Sequence, residues 1–186
     1  EADDSLTGLC FISGKPGGFV YGADINEFSV LQTEAEVAKL MDLAHGVFAR
    51  LETLSLPTAM GINGIAVGGG LEIALPFGRI VAVDSPRTQL GFPEISLGIM
   101  PGYGGTGRAV RRIGVARTLE MVLTGRMVRA TEALEWGLVD ALVGNEDMLR
   151  GALKDMLTLE APEAVQETAE DITAALSVAE DKYLSR

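Results

Sequence analysis

Residues 60–100 restrict the fold of this chain more than any other stretch. They open Met60-Gly-Ile-Asn-Gly-Ile-Ala-Val-Gly-Gly-Gly-Leu-Glu72 and close Gly91-Phe-Pro-Glu94-Ile-Ser-Leu-Gly-Ile-Met100. Residues 60–78 approach the length of a membrane span, yet they hold six glycines, Asn63, Glu72 and Pro76. A spanning helix with that content is disfavoured, and a buried strand–loop–helix unit fits better. The stretch contains no His, Cys or Lys, and its basic residues are Arg79 and Arg87. A carboxylate in so apolar a run is costly unless it is paired or used. Glu72 and Glu94, each beside glycine-rich backbone, therefore point to a site that moves protons and stabilises an oxyanion.

At 186 residues, 47% hydrophobic and 22% charged, the chain is long enough to bury a core, and its composition is that of a folded domain. The single cysteine, Cys10, excludes an internal disulfide and fits a reducing compartment. The first residue is Glu1, so a fragment of something longer is expected, and no basic-then-apolar secretory leader is present. A net charge of −11 disfavours nonspecific nucleic-acid binding. The charge is uneven. Arg108, Arg111, Arg112, Arg117, Arg126 and Arg129 cluster with one acid, Glu120, whereas residues 160–181 are strongly acidic. The tail reads as a solvated helix face, and the arginines as ion pairs or a local anion-facing patch.

Along the chain, residues 6–13 read as a buried strand before a Gly/Pro turn. Lys15 follows Gly14, but Pro16 stands where a phosphate-binding loop needs Ser or Thr, so that motif fails. Gly22-Ala23-Asp24-Ile25 admits two readings. One is a turn exposing the Ala23 amide; the other, favoured by spacing alone, is an ordinary turn capped by Asp24. Thr33-Glu-Ala-Glu36 is a capping box opening a helix of about 20 residues. His45 lies on that helix beside its apolar stripe, and a structural or surface role is expected. Residues 58–63 and 79–83 read as strands, 71–75 as a short helix with Gly69 and Gly70 at its positive end, and 84–88 as a turn. One strand out and back thus returns Glu94 to the neighbourhood of Glu72. Gly102-Tyr-Gly-Gly-Thr-Gly107 fits a dinucleotide fingerprint only formally, since no adequate strand precedes it. It reads better as a glycine-rich helix entry whose amides face the site. Helices are expected at 108–113, 116–123, 131–136, 147–159 and 162–184, the last amphipathic through Val165, Ile172, Leu176 and Ala179. A strand is expected at 138–143, with Trp136 in the core.

The sequence shows no metal-type cluster, Cys/His pair or serine elbow. General acid–base work by glutamate remains. Two glutamates sharing a small apolar pocket are expected to have their pKa values pushed apart, one ionised and one protonated. Such a pair can hold a water, remove its proton with one acid and deliver a proton with the other. Amides at Ala23 and Gly69 could clamp a carbonyl oxygen as it becomes an enolate. That chemistry suits water or proton transfer beside a thioester carbonyl.

Residues 11–26, 68–72, 91–102 and 123–126, in that order, resemble the crotonase superfamily. They look most like the enoyl-CoA hydratase/isomerase half of multifunctional fatty-acid-oxidation enzymes, and the resemblance covers about residues 6–143. It implies an α/β fold, a crotonase-like spiral of ββα units with C-terminal helices. The expectation is a single domain over 1–186, with 145–186 a helical C-terminal segment and the family's N-terminal strands missing. By motif matching, Glu72 and Glu94 are implied as the catalytic acids and the Ala23 and Gly69 amides as the oxyanion hole. Asp24, Ile25, Gly68 and Gly102 are implied to contact substrate. Gly107 departs from the family by standing where relatives often carry Gln.

The implied activity is syn hydration of 2-enoyl-CoA to 3-hydroxyacyl-CoA in fatty acid beta-oxidation. The alternatives are 3,2-enoyl-CoA isomerisation and a non-catalytic acyl-CoA-binding or assembly module. No cofactor is expected, because coenzyme A is part of the substrate. Expected partners are an acyl-CoA thioester, further copies forming a homotrimer or dimer of trimers, and a dehydrogenase half if the chain is longer. A cytoplasmic location is preferred over a mitochondrial or peroxisomal matrix.

Overall fold

A computed structural model describes residues 3, 5–15, 18–24 and 32–184. Its centre is a parallel sheet built from short apolar segments: β1 (Leu9–Ile12), β2 (Thr58–Ile62), β4 (Arg79–Val83) and β7 (Ala141–Val143), in the spatial order β1-β2-β4-β7. Every residue of β2 is buried, as expected of a strand covered on both faces. Because side chains alternate, Met60, Ile62, Ile80 and Ala82 enter one core cluster, while Ala59, Val81, Val83 and Val143 enter a second. Helix α5 (Glu146–Met156) closes the second face by burying Leu149 and Leu153. Each such leucine contributes about 1.5–3 kcal/mol relative to exposure.

A smaller sheet positions the site. In it β3 (Ala66–Val67) runs parallel to β5 (Gln89–Gly91), pairing Ala66 with Leu90 and Val67 with Gly91, and β6 (Val128–Arg129) is antiparallel to β5. The Gly68 amide extends the ladder by donating to the Gly91 carbonyl at 3.0 Å. Since β3 and β5 run in register, the chain leaves both at the same end. After β3 it enters helix α2 (Gly69–Ala74), which carries Glu72, and after β5 the 3-10 turn Pro93–Leu97, which carries Glu94.

Several expectations match. The capping box is present, with Thr33 and Glu36 reciprocally bonded at the start of helix α1 (Glu34–Glu52). The strand at Arg79–Val83 falls at its expected limits. The helices expected at 108–113 and 116–123 form one kinked element, α3 (Gly105–Thr124), broken at Gly114 with φ 79° and ψ 170°. Helix α4 (Ala130–Trp136) follows.

Other expectations need correcting. The segment at residues 6–13 is not buried: Leu9 is 38% and Phe11 37% exposed. Among the described residues β1 pairs with β2 alone, which makes it an edge. Phe11 still meets Phe19 and Phe77 at ring distances of 6.4 and 6.2 Å. The helix expected over 162–184 begins only with α6 (Ala169–Ala179), behind a second capping box of Thr168 and Asp171, and a π-helical turn Glu180–Leu184 follows. Residues 161–167 instead form an extended strap. It is pinned by a Val165 amide bond to the Arg111 carbonyl (2.8 Å) and by Glu167 accepting from the Val115 amide (2.8 Å). Of the expected apolar stripe only Ala179 is buried, while Val165, Ile172 and Leu176 are exposed. Trp136 packs against the core from a half-buried position, with the guanidiniums of Arg117 and Arg126 over its ring at 5.4 and 5.2 Å. No helix among the described residues is long and apolar enough to cross a membrane.

Candidate functional site

Glu72 is 2% exposed and lies in the first turn of α2, reached through Gly68 (φ 53°, ψ −128°), a conformation open to glycine but strained for other residues. Its Oε1 accepts from the backbone amides of Tyr103 and Gly105, each at 2.8 Å. The glycine-rich helix entry inferred from sequence therefore does face the site. The contact also explains why residue 105 is glycine: a Cβ there would stand 2.5 Å from Glu72 Cγ. Arg108 braces the same loop, donating to the Tyr103 carbonyl (2.9 Å) and to Glu52 (2.8 Å).

Glu94 is 8% exposed, and a Cβ on Gly68 would lie 2.7 Å from its Oε1. The carboxyl thus rests against the backbone that leads into Glu72's helix. Among the described residues Glu94 Oε2 has no hydrogen-bond partner. The expected convergence of the two acids is present, and its cause is the β3–β5 register.

Burial acts on the two carboxyls in the same direction. Both pKa values are raised. Burial is the main cause at Glu72, opposed by the Gly105 and Tyr103 amides and then by the positive fields of Arg108 and His45. Burial again leads at Glu94, its own amide opposes it, and the nearby Glu72 charge pushes it further up. What differs between the acids is hydrogen bonding: Glu72 accepts two strong amide bonds, which favour its ionised form, whereas Glu94 keeps an oxygen unpartnered.

This has a consequence for stability. A carboxyl whose folded pKa is raised contributes stability that is full below its unfolded value, and that contribution is lost as pH rises through the folded value. At neutral pH a carboxyl with a raised pKa therefore opposes folding, whether it keeps its proton or loses it. Glu94→Gln is expected to raise the urea midpoint above that of the parent at pH 7. The gap should close as pH falls to the ordinary carboxyl value of 4.5. Equal midpoints at pH 7 would contradict this.

The remaining candidates fall around the pair. Gly22 has φ 99°, and the Gly22–Ala23 backbone lies against the start of α2: a Cβ on Gly69 would stand 3.5 Å from the Ala23 nitrogen, and one on Gly22 would stand 3.5 Å from the Gly69 nitrogen. Ala23 and Gly69 are thus neighbours. Asp24 follows directly and is exposed, and Ile25 lies outside the described residues. Gly102 is exposed, and its carbonyl accepts from His45 Nε2 at 2.7 Å. Sequence reasoning missed the parts of His45 and Tyr103, which depend on partners 57 and 31 residues distant and leave no local pattern.

Four arginines of the segment, Arg108, Arg111, Arg112 and Arg126, form ion pairs. Arg108 and Arg111 share Glu52, Arg112 and Arg79 share Asp140, and Arg126 meets Glu120 and Glu132. Two cavities of about 480 and 470 Å³ flank these pairs under residues 159–164, and neither is lined by Glu72 or Glu94. The two buried glutamates and the neighbouring Ala23 and Gly69 backbone lie outside both cavities. Among the described residues no cluster of three or more His, Cys, Asp or Glu is arranged to hold a metal ion.

The chain is similar to known proteins over most of its length. A family profile described as "Enoyl-CoA hydratase/isomerase" matches residues 1–185. The chain is 44% identical over 154 residues to the fatty acid oxidation complex subunit alpha of Shewanella loihica, covering 83% of this chain and 22% of that one. It is 42% identical over 157 residues to the protein of the same name from Idiomarina loihiensis, covering 84% and 22%. The chain thus spans about a fifth of the length of these relatives. Among solved structures, the enoyl-CoA hydratase of Bacillus anthracis superposes with a TM-score of 0.76 at 33% identity, covering 84% of this chain and 59% of that one.

Proposed function

Because the chain belongs to the enoyl-CoA hydratase/isomerase family, we propose that it adds water to a 2-enoyl-CoA thioester with syn geometry, giving 3-hydroxyacyl-CoA in fatty acid beta-oxidation. The observation that carries this reading is the pairing of two buried glutamates with unequal hydrogen bonding at one strand end. The Ala23 and Gly69 amides would receive the thioester oxygen as it gains charge. Loss of one such donor typically raises a barrier by roughly 3–4 kcal/mol. Glu72, kept toward the ionised state by its two amides, takes a proton from water as the water oxygen bonds to C3. The C2–C3 π pair moves into the thioester as an enolate. When the enolate collapses, C2 takes the proton of a protonated Glu94. The cycle leaves Glu72 protonated and Glu94 ionised, and exchange with solvent resets both. Gly68, Asp24, Ile25 and Gly102 are proposed to border the substrate.

The proposal extends to assembly as trimers or pairs of trimers, to a dehydrogenase half on the same polypeptide, to catalysis without a cofactor beyond the CoA of the substrate, and to a cytoplasmic setting. The relatives' names and their greater length favour the second of these. Isomerisation of a 3-enoyl-CoA needs only one proton-shuttling base, so a buried pair favours hydration as the main activity. Assay of 2-enoyl- and 3-enoyl-CoA side by side tests this. Hydration of the 2-enoyl substrate is expected. Conversion of the 3-enoyl substrate alone would assign the chain as an isomerase, and binding of both without turnover would assign it as a binding module.

A further inference from the structure

Helix α1 presents a narrow stripe to the loop and helix that follow Pro101. Met41, His45, Phe48 and Glu52 are spaced four, three and four residues apart, so they share a face. All four meet residues 102–111. Met41 Sδ stands 3.0 Å from where a Cβ on Gly102 would be. His45 Nε2 bonds the Gly102 carbonyl at 2.7 Å. The Phe48 ring is edge-on to Tyr103 at 6.2 Å, with the Arg108 guanidinium over it at 5.6 Å. Glu52 pairs with Arg108 at 2.8 Å and with Arg111 at 2.6 Å. Phe48 is the buried residue of this helix, while Leu43 and Val47 on its other faces are exposed. Leu51, beside the stripe, packs against the core cluster, and the two together seat the helix.

One contact in the stripe reaches the reactive acid through a single rigid group. The Gly102 carbonyl and the Tyr103 N–H belong to the same peptide plane, which cannot bend without breaking its resonance. His45 donates to the oxygen of that plane, and the nitrogen on its opposite side donates to Glu72 Oε1 at 2.8 Å. We propose that His45 is a positioning residue for Glu72: by fixing the Gly102–Tyr103 peptide plane it keeps the Tyr103 N–H aimed at the carboxylate. A rotation of the plane that frees the oxygen also swings the amide away. A donor on the carbonyl additionally polarises the N–H, strengthening its bond to the acid. This inference rests on the proposed hydration for its kinetic consequence, but not for its structural one.

The titratable and charged groups facing Glu72 are Arg108 from α3, His45 from α1 and Glu94 from the 3-10 turn. The test compares His45→Ala with His45→Gln in the otherwise unaltered protein. Gln keeps an N–H donor but carries no ring and no charge. For His45→Ala, kcat on 2-enoyl-CoA is expected to fall roughly tenfold, the scale of one lost hydrogen bond, with KM little changed. The acidic limb of the pH–kcat profile should move upward, because burial of Glu72 is then less opposed. His45→Gln should recover most of kcat and return the limb toward its parent position. Unchanged kcat and pH limb in His45→Ala overturns the inference. So does equal impairment in both variants, which would trace the effect to charge or ring packing. Carbon-13 NMR titration of the Glu72 carboxyl needs no turnover. An upward shift in His45→Ala beside an inactive parent would uphold the positioning role while refuting the hydratase reading, and no shift would refute the positioning role.

Discussion

Glu72→Gln is expected to lower hydration of a 2-enoyl-CoA thioester by about three orders of magnitude while leaving thioester affinity within a few-fold of the parent. The glutamine carbonyl can still accept from the Tyr103 and Gly105 amides that hold Glu72 Oε1 at 2.8 Å, so the pocket keeps its shape. Basicity is what disappears, and a positioned acid or base typically contributes roughly 10²–10⁴-fold. Glu94→Gln should fall in the same range for a different reason: its amide cannot deliver the proton that C2 requires. The two substitutions part company in stability, since the Glu94 variant sheds a buried, half-unpartnered carboxyl whereas the Glu72 variant weakens two satisfied charge-assisted bonds. Turnover by initial rates and affinity by calorimetry with a saturated acyl-CoA separate the effects. Near-parent rates in both variants would remove these residues from the chemistry.

Gly70→Ala is expected to be the most damaging substitution of a single methyl group. A Cβ at residue 70 would stand 1.8 Å from the Val20 carbonyl oxygen and 2.6 Å from its carbon, both backbone atoms that cannot swing aside as a side chain can. Relief requires parting residues 18–24 from α2, the packing that sets Ala23 beside Gly69. A loss of about 3 kcal/mol or more is expected, at or above the usual range for overpacking. Gly107→Ala is the control. It lies in α3, is exposed, and has nothing within 4 Å of its Cβ position. There alanine should stabilise by about 0.5–1 kcal/mol through helix propensity and chain entropy. Urea unfolding reads both, and a Gly70→Ala midpoint equal to that of Gly107→Ala would contradict the close packing of α2 on the Val20 carbonyl.

Much of the architecture was legible locally because local chemistry decides it. The strand at Arg79–Val83 is an apolar run bounded by turn residues, and the Thr33–Glu36 box marks a helix start whatever lies around it. The convergence of Glu72 and Glu94 was legible because only one strand and a turn separate α2 from β5. Strands β3, β5 and β6 were not. With two or three residues each they show no periodicity, and they exist because a neighbouring backbone offers hydrogen bonds. The apolar residues of β1 and α6 misled for a related reason: alternation and helical spacing tell which residues share a face, not whether anything covers it. The upward direction of both pKa values follows from burial, whereas the two amides that oppose it at Glu72 lie more than thirty residues away and no spacing reveals them. His45 is the plainest case. Its place beside an apolar stripe was readable, while the carbonyl it holds lies 57 residues on.

The most direct measurement is isotopic. The purified protein is incubated with a 2-enoyl-CoA in deuterium oxide enriched in oxygen-18, and the product is analysed by mass spectrometry and NMR. Two acids acting on one water predict a 3-hydroxyacyl-CoA with a single solvent oxygen at C3 and a single deuterium at C2, added to the same face. Deuterium at C2 without oxygen at C3, or a thioester that binds and is recovered unlabelled, would contradict the account.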